Sequence, residues 1–526
     1  MKVPFVKEAL RGQVPVNWFP VSDDDTEVIM FGTPGLVEFC QLTGAMAVWG
    51  GTVMGNISYV VAQTSETACT LFAVDNNANI NTIGTIAARS GPIGIVNNGT
   101  QVLVTHKTNG YVYDILPKAW VAATDYQANI YIRPTTPNGF YYKSQDAGTS
   151  HATTEPTWPT AVGGTVVDNP GGSQITWITV AEAPVFAQIT DTNFIGGAAC
   201  AFQDGYGIVV QPDSRYWQVS DLYDFTTWPA NAQAAKEGGS DNISAVIADH
   251  LNIWLFGERT TEIWYNSGGS PFPFSRLPGT FVEKGLAATA SLAKGDNGLF
   301  WLTNEGQMVR NVGYQAKTIS TRKFDREVAK YSRIDDAIGY IYVMEGHTFY
   351  DLHFPEANVT WSYDVATGEL HKKSSYPGTS RHRGNCYILF DNKHLVGDHS
   401  NGKLYQLDMD RYTDDGNAIK AVLESNQYFD GGKRIFFPDM QIVFDHGKEV
   451  PADAYYDQDN EPQAMLAWSK DGARTFPTEI WEPIGQVGEY EKRTIFRQLG
   501  SDYKRTYRLM VSAPICRDIL SVEVLK

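Results

Sequence analysis

The chain has 526 residues, 43% of them hydrophobic and 12% aromatic, with 48 Gly and 25 Pro spread along its length and a formal net charge of −17. That is too much apolar material for a disordered chain and too much length for one small core, so about two to four packed domains are expected. The acidic balance argues against a sequence-specific binder of duplex DNA, which needs clustered Lys and Arg on phosphates, but suits a role beside DNA in which not adhering is useful.

The first residues, MKVPFVKEALRGQ, contain no apolar core of a cleavable signal, and no run approaches membrane-spanning length, so neither export by such a signal nor membrane insertion is expected. Val16-Asn17-Trp18-Phe19-Pro20 and Phe31-Gly32-Thr33-Pro34-Gly35-Leu36 are extended segments, because the residue before Pro is pushed out of the helical region. They are expected to form an N-terminal arm over residues 1–45. Trp18, Pro20, Pro34 and Gly35 are its candidates for an assembly interface.

Short apolar runs follow. Their second residues are Val60, Leu103, Val209, Trp254, Phe300, Ile341 and Ile388. Runs of three or four residues between Asn, Gly and Asp are strand signals, and unbroken runs belong to strands covered on both faces. Most are followed by a turn and a second strand, as in Gly257-Glu258-Arg259-Thr260 before Glu262-Ile263-Trp264-Tyr265. The spacing is close to the roughly 40–50 residues of propeller repeats except between Leu103 and Val209, where it closes once a compositionally odd segment is removed. The expected fold is therefore all-β: a β-propeller of six or seven blades over residues 46–124 and 191–412, with a small β module inserted at 125–190. A β-sandwich with chance spacing is the bland alternative.

The module carries Thr154-Glu155-Pro156-Thr157-Trp158-Pro159 and closes on Ile175-Thr176-Trp177. Sugar stacking on Trp158 or Trp177 is weighed there against a core role for both, and so small a domain favours the core. After the last hairpin, Asp408, Asp410, Asp414 and Asp415 form an acidic linker without the residue order of a calcium loop. Residues 413–526, with alternating segments such as Met440-Gln441-Ile442-Val443-Phe444, are expected to form a separate sandwich-like β domain.

No chemistry stands out. The 5 cysteines lack a CxxC pair, which argues against a zinc site or disulfide framework and for synthesis in a reducing cytosol. The pairs His347/His353 and His394/His399 lack metal-ligand spacing, and neither a GxSxG elbow nor a P-loop occurs. Ser469-Lys470-Asp471-Gly472-Ala473-Arg474-Thr475-Phe476 resembles the Asp-box turn of sialidases, with its Gly displaced by one position. No catalytic residue, cofactor or metal is assigned. A carboxylate pair for glycoside hydrolysis is invisible in sequence, so a glycoside hydrolase of the tail depolymerase or sialidase type and a glycan-binding propeller stay as alternatives.

The Asn17-Trp18-Phe19-Pro20 segment, Thr33-Pro34-Gly35-Leu36, the stretch NIWLFGERTTEIWYNSG at 252–268, Phe281-Val282-Glu283-Lys284-Gly285-Leu286-Ala287 and the strands from Met465 to Lys526 together resemble the tail hub or nozzle proteins of short-tailed phages, also called packaged-DNA stabilisation proteins. The module resembles small β modules inserted in phage tail and fibre proteins. The family resemblance implies a structural virion protein made in the host cytoplasm and built into the tail. It implies a hexameric ring below the portal and its adaptor, extending the DNA conduit, helping to retain the genome and docking fibres, spikes or a needle. Genomic DNA would pass without specific binding, with Asp408, Asp410, Asp414 and Asp415 as candidates for the channel lining.

Overall fold

The run Leu299-Phe300-Trp301-Leu302 is fully buried and lies in the second strand, Gly298–Leu302, of a four-stranded antiparallel sheet. Its side chains divide by parity. Leu299 and Trp301 pack with Trp254 and Phe256 of the preceding sheet, while Phe300 and Leu302 pack with Tyr350, Leu352 and Phe354 of the following one. A strand covered on both faces has no polar side, which is why it reads as an unbroken apolar run.

The computed structural model describes residues 14–22, 28–87, 91–115, 117–128, 130–180, 185–375, 378, 380–447 and 461–524. Among the described residues seven sheets of four to six strands, the blades, follow one another, beginning with Ala47–Met54, Gly94–Asn97, Cys200–Gln203, Ile243–Asp249, Ala293–Gly295, Ile338–Met344 and Gly384–Phe390. The first strand of the last blade lies beside Ala47–Met54 of the first, so the blades close into a ring. This is a β-propeller of seven blades.

Closure is made by the N-terminal region. Gly35–Gln41 pairs antiparallel with Lys403–Asp408 as the fourth strand of blade 7, with Leu36 opposite Leu407. Residues 35–41 are therefore propeller rather than arm. The preceding hairpin, Trp18–Ser22 with Val28–Gly32, joins Ile519–Val524, Met440–Phe444 and Thr494–Phe496 in one sheet of the C-terminal domain. The facing sheet is built from Ala421–Glu424, Lys504–Val511, Gln463–Ser469 and Thr478–Pro483. Trp18, Met30, Ile442, Leu466, Leu509 and Ile519 fill the space between the two, making a β-sandwich. Thr413–Asp414 and Asn417–Ala418 extend the sheet of blade 7, so the sandwich begins near Ala421 rather than at 413.

The inserted module also sits differently from its expected bounds. Val185–Gln188 is the fourth strand of blade 2, pairing with Asn109–Asp114, so the module interrupts that blade between its third and fourth strands. Its core of Trp120, Ile132, Tyr142, Ile175 and Trp177 starts before residue 125, and its last strand, Ile175–Val180, ends before 190. In blades 6 and 7 the runs at Ile341 and Ile388 are first strands. The second strands, His347–Phe354 and Lys393–Asp398, carry buried His347, Asp351, His353 and Asp398, which break the apolar pattern.

Candidate functional site

Propeller and sandwich are bridged by the consecutive residues Val16 to Phe19. Asn17 sits at φ 57°, a conformation Asn tolerates better than most side chains. Its N–H donates to the Lys372 carbonyl at 2.8 Å, and its Nδ2 donates to the carbonyls of Ser374 and Lys420, each at 2.8 Å. Its Oδ1 accepts the Ser374 N–H at 2.9 Å. Ser374 belongs to the outer strand Leu370–Ser375 of blade 6, and Lys420 directly precedes the sandwich strand Ala421–Glu424, so one amide ties the two domains together. Val16 adds bridges to Lys372 and to Val422.

The next two residues diverge. Trp18 enters the sandwich core with no exposed surface, and its Nε1 donates to the Arg517 carbonyl at 2.9 Å. Phe19 enters the propeller, with its ring 5.4 Å from His347, 5.0 Å from Phe349 and 5.9 Å from His371.

Around Phe19 the propeller holds a buried polar layer. Lys373 Nζ lies 2.8 Å from Asp351 and also donates to the Tyr342 hydroxyl, while His347 Nδ1 is 2.8 Å from Asp364. Burial first, and neighbouring positive charges next, hold His353, His371 and His382 well below the usual imidazole range. Burial also lowers Lys373, against the opposing pull of Asp351. Asp414 is pushed up to about 6 by burial, although Ser375, Arg517 and Arg383 favour its charged form.

These placements revise several sequence-based candidates. Trp18, Pro20, Pro34 and Gly35 are all buried within the chain, which removes them as exposed interface residues. Gly35 is required where it stands: a Cβ there would lie 2.4 Å from the Arg411 carbonyl oxygen. Asp414 is buried and cannot line a channel; Asp408, Asp410 and Asp415 sit at the outer side of blade 7, where Lys403 binds Asp415 at 3.1 Å. Trp177 is fully buried, so it offers no ring to a glycan. Trp158 is half-buried, packed 4.3 Å from Tyr142, with its Nε1 donating to Glu155 at 2.8 Å.

Two groups resemble chemical sites and act as supports. Asp471 accepts the N–H groups of Arg474 and Thr475 at 2.9 and 3.0 Å and the Thr475 hydroxyl at 2.7 Å, so its carboxylate holds the Asp-box-like turn. Asp445, Cys516 and Asp518 bring ligand-type atoms within 4.8 Å of one another, yet Asp518 already accepts the Gly32 N–H at 2.8 Å and anchors the N-terminal hairpin. In the sequence Asn17 stands out only as part of the Asn17-Trp18-Phe19-Pro20 segment. Its role as a joint depends on Ser374 and Lys420, which nothing local announces.

Residues 169–412 match the family model described as bacteriophage P22 Gp10, β-propeller, and residues 421–524 match that described as bacteriophage P22 Gp10, β-sandwich. The chain belongs to the packaged-DNA stabilisation protein family of short-tailed phages. The seam between the two matched ranges falls where Asn17 bonds to Lys420. None of the curated proteins matches the chain. Among solved structures, the WD40 β-propeller domain of Doa1 is similar at 11% identity and a TM-score of 0.37, over 71% of this chain and 96% of that one. Raptor of Chaetomium thermophilum is similar at 8% identity and a TM-score of 0.36, over 71% of this chain and 29% of that one. The Gp10 family is a structural family of phage tails, so the protein's place is in the virion with other tail components. No helix among the described residues is long and apolar enough to cross a membrane.

Proposed function

We propose that this Gp10-family chain forms a hexameric ring below the portal and its adaptor, extends the DNA conduit, helps to retain the packaged genome and offers a dock for fibres, spikes or a needle. The observation that carries this reading is the Asn17 joint. A conduit wall under the pressure of a packed genome must pass load between its parts, and a buried amide bonded to both domains, flanked by Trp18 in one core and Phe19 in the other, does so without a flexible linker. The net charge of −17 suits a wall along which duplex DNA slides, because each additional Lys or Arg contact would add attraction.

Native mass spectrometry and negative-stain imaging of the purified chain test the ring. Closed hexamers, alone or upon adding the portal adaptor, are expected; a chain that stays monomeric with the adaptor present contradicts the reading. The buried position of Trp177 removes one of the two rings, Trp158 and Trp177, considered for sugar stacking in the module.

A further inference from the structure

Where the inserted module meets the propeller there is a cleft of about 330 Å³. The module contributes Tyr126, Ile130 and Tyr131, and the end of blade 2 contributes Ala187, Gln188 and Thr190. We propose that this cleft binds a neutral mono- or disaccharide. The inference stands apart from the ring and conduit reading, since most of the module precedes the range matched to the propeller family.

The walls are aromatic and fixed in place. The Tyr126 hydroxyl accepts the Val121 N–H at 2.9 Å, and its ring stands edge-on to Trp177 at 5.2 Å and 80°. Lys143 stands over the Tyr131 ring at 5.6 Å. Rings with an apolar face and a polar edge complement a pyranose, which has an apolar C–H face and a rim of hydroxyls. Gln188 and Thr190 are exposed at the mouth, with an amide and a hydroxyl to meet that rim.

The charges that line the cleft itself, Lys118 and Asp114, are both engaged with neighbours. Lys118 at the cleft is paired with Asp224 at 2.7 Å. Burial works to raise Asp224, but hydrogen bonds from Lys118 and Thr226 hold it down at about 2, so it keeps its charge and its hold on Lys118. Asp114 accepts from Gln101 Nε2 at 2.8 Å. A phosphate or carboxylate ligand would have to share Lys118 with Asp224 and approach the Asp114 carboxylate, and an acyl chain would have to lie against these charged groups. The volume lies at the lower end of the roughly 300–1,000 Å³ of small-molecule sites, which also favour domain interfaces.

Saturation-transfer-difference NMR on the full chain, with lactose, maltose and cellobiose as probes, tests the site. Glucuronic acid serves as the anionic arm and cyclohexanol as the apolar arm. At least one neutral disaccharide should receive saturation, with binding weakened about tenfold or more by Tyr131→Ala and by Ala187→Trp, and glucuronic acid should receive none. Ala187 is exposed, so Ala187→Trp fills the cleft without deleting a contact and keeps the test valid if Tyr131→Ala fails to fold. Silence from all three disaccharides, an undiminished signal in Ala187→Trp, a glucuronic acid signal equal to theirs, or a cyclohexanol signal without a sugar signal overturns the proposal.

Discussion

The side-chain amide of Asn17 pairs with the backbone of Ser374 as a neighbouring strand would, donating to its carbonyl at 2.8 Å and accepting its N–H at 2.9 Å. The same Nδ2 donates to Lys420 at the start of the sandwich. Replacing Asn17 by Ala leaves three buried or half-buried backbone groups without their partner and places a Cβ residue of poorer tolerance at positive φ. The expected cost is about 2–4 kcal/mol. Calorimetry should show one cooperative transition splitting into two as the domains uncouple. Asn17→Gly separates the causes: it relieves the backbone but still loses the amide, so it should uncouple the domains as well.

Trp18→Ala opens a cavity in the sandwich core and removes the bond to Arg517. It should lower the stability of the isolated chain by about 3–5 kcal/mol in denaturant melts. If the variant instead keeps its stability and fails only in tail assembly, Trp18 belongs to an interface and its buried placement is wrong.

Acid should weaken the propeller. His353, His371 and His382 are held neutral by burial, whereas unfolded imidazoles take up protons below about 6.5. The unfolded chain then binds more protons, so stability falls as pH drops, by up to about 1.4 kcal/mol per pH unit for each fully buried imidazole. Asp414 opposes this. Raised to about 6 from 3.8, it gains a proton in the folded state first and adds stability as pH falls through that window. Three imidazoles outweigh one carboxyl, so the melting temperature should drop between pH 7 and pH 5. His371→Phe should flatten that drop and Asp414→Asn should steepen it. A pH-independent melting temperature over this range would show that the polar layer is hydrated.

Much of the fold is legible in the sequence where strands are covered on both faces, as in Leu299–Leu302. The second strands of blades 6 and 7 do not show as apolar runs because buried His347, Asp351, His353 and Asp398 bond to Asp364, Lys373, Thr360 and Arg383 on other strands and loops, a compensation that local pattern cannot display. Gly35–Gln41 looks like arm in sequence because its partner strand, Lys403–Asp408, lies at the other end of the propeller sequence. The Pro-marked Trp18–Ser22 segment has the same local signature whether it forms a free arm or the edge of a sandwich sheet. Trp177 was decidable: the alternation of Ile175–Val180 puts Ile175, Trp177 and Thr179 on one buried face.

The module should be removable only at its structural borders. Asp114 and Val185 lie opposite each other in blade 2, so joining the chain across them with a short turn should leave a soluble propeller of unchanged far-ultraviolet circular dichroism per residue. Deleting 125–190 also removes the strand Val185–Gln188, leaves blade 2 with an open edge and should give insoluble protein.

Genome retention measures the central claim most directly. DNA-filled particles assembled without this chain should lose their genome to added nuclease within the assay, and purified wild-type chain added before the nuclease should protect it, with Asn17→Ala protecting less well. Particles that lack the chain yet hold their DNA as well as complete virions would contradict the conduit-and-retention account.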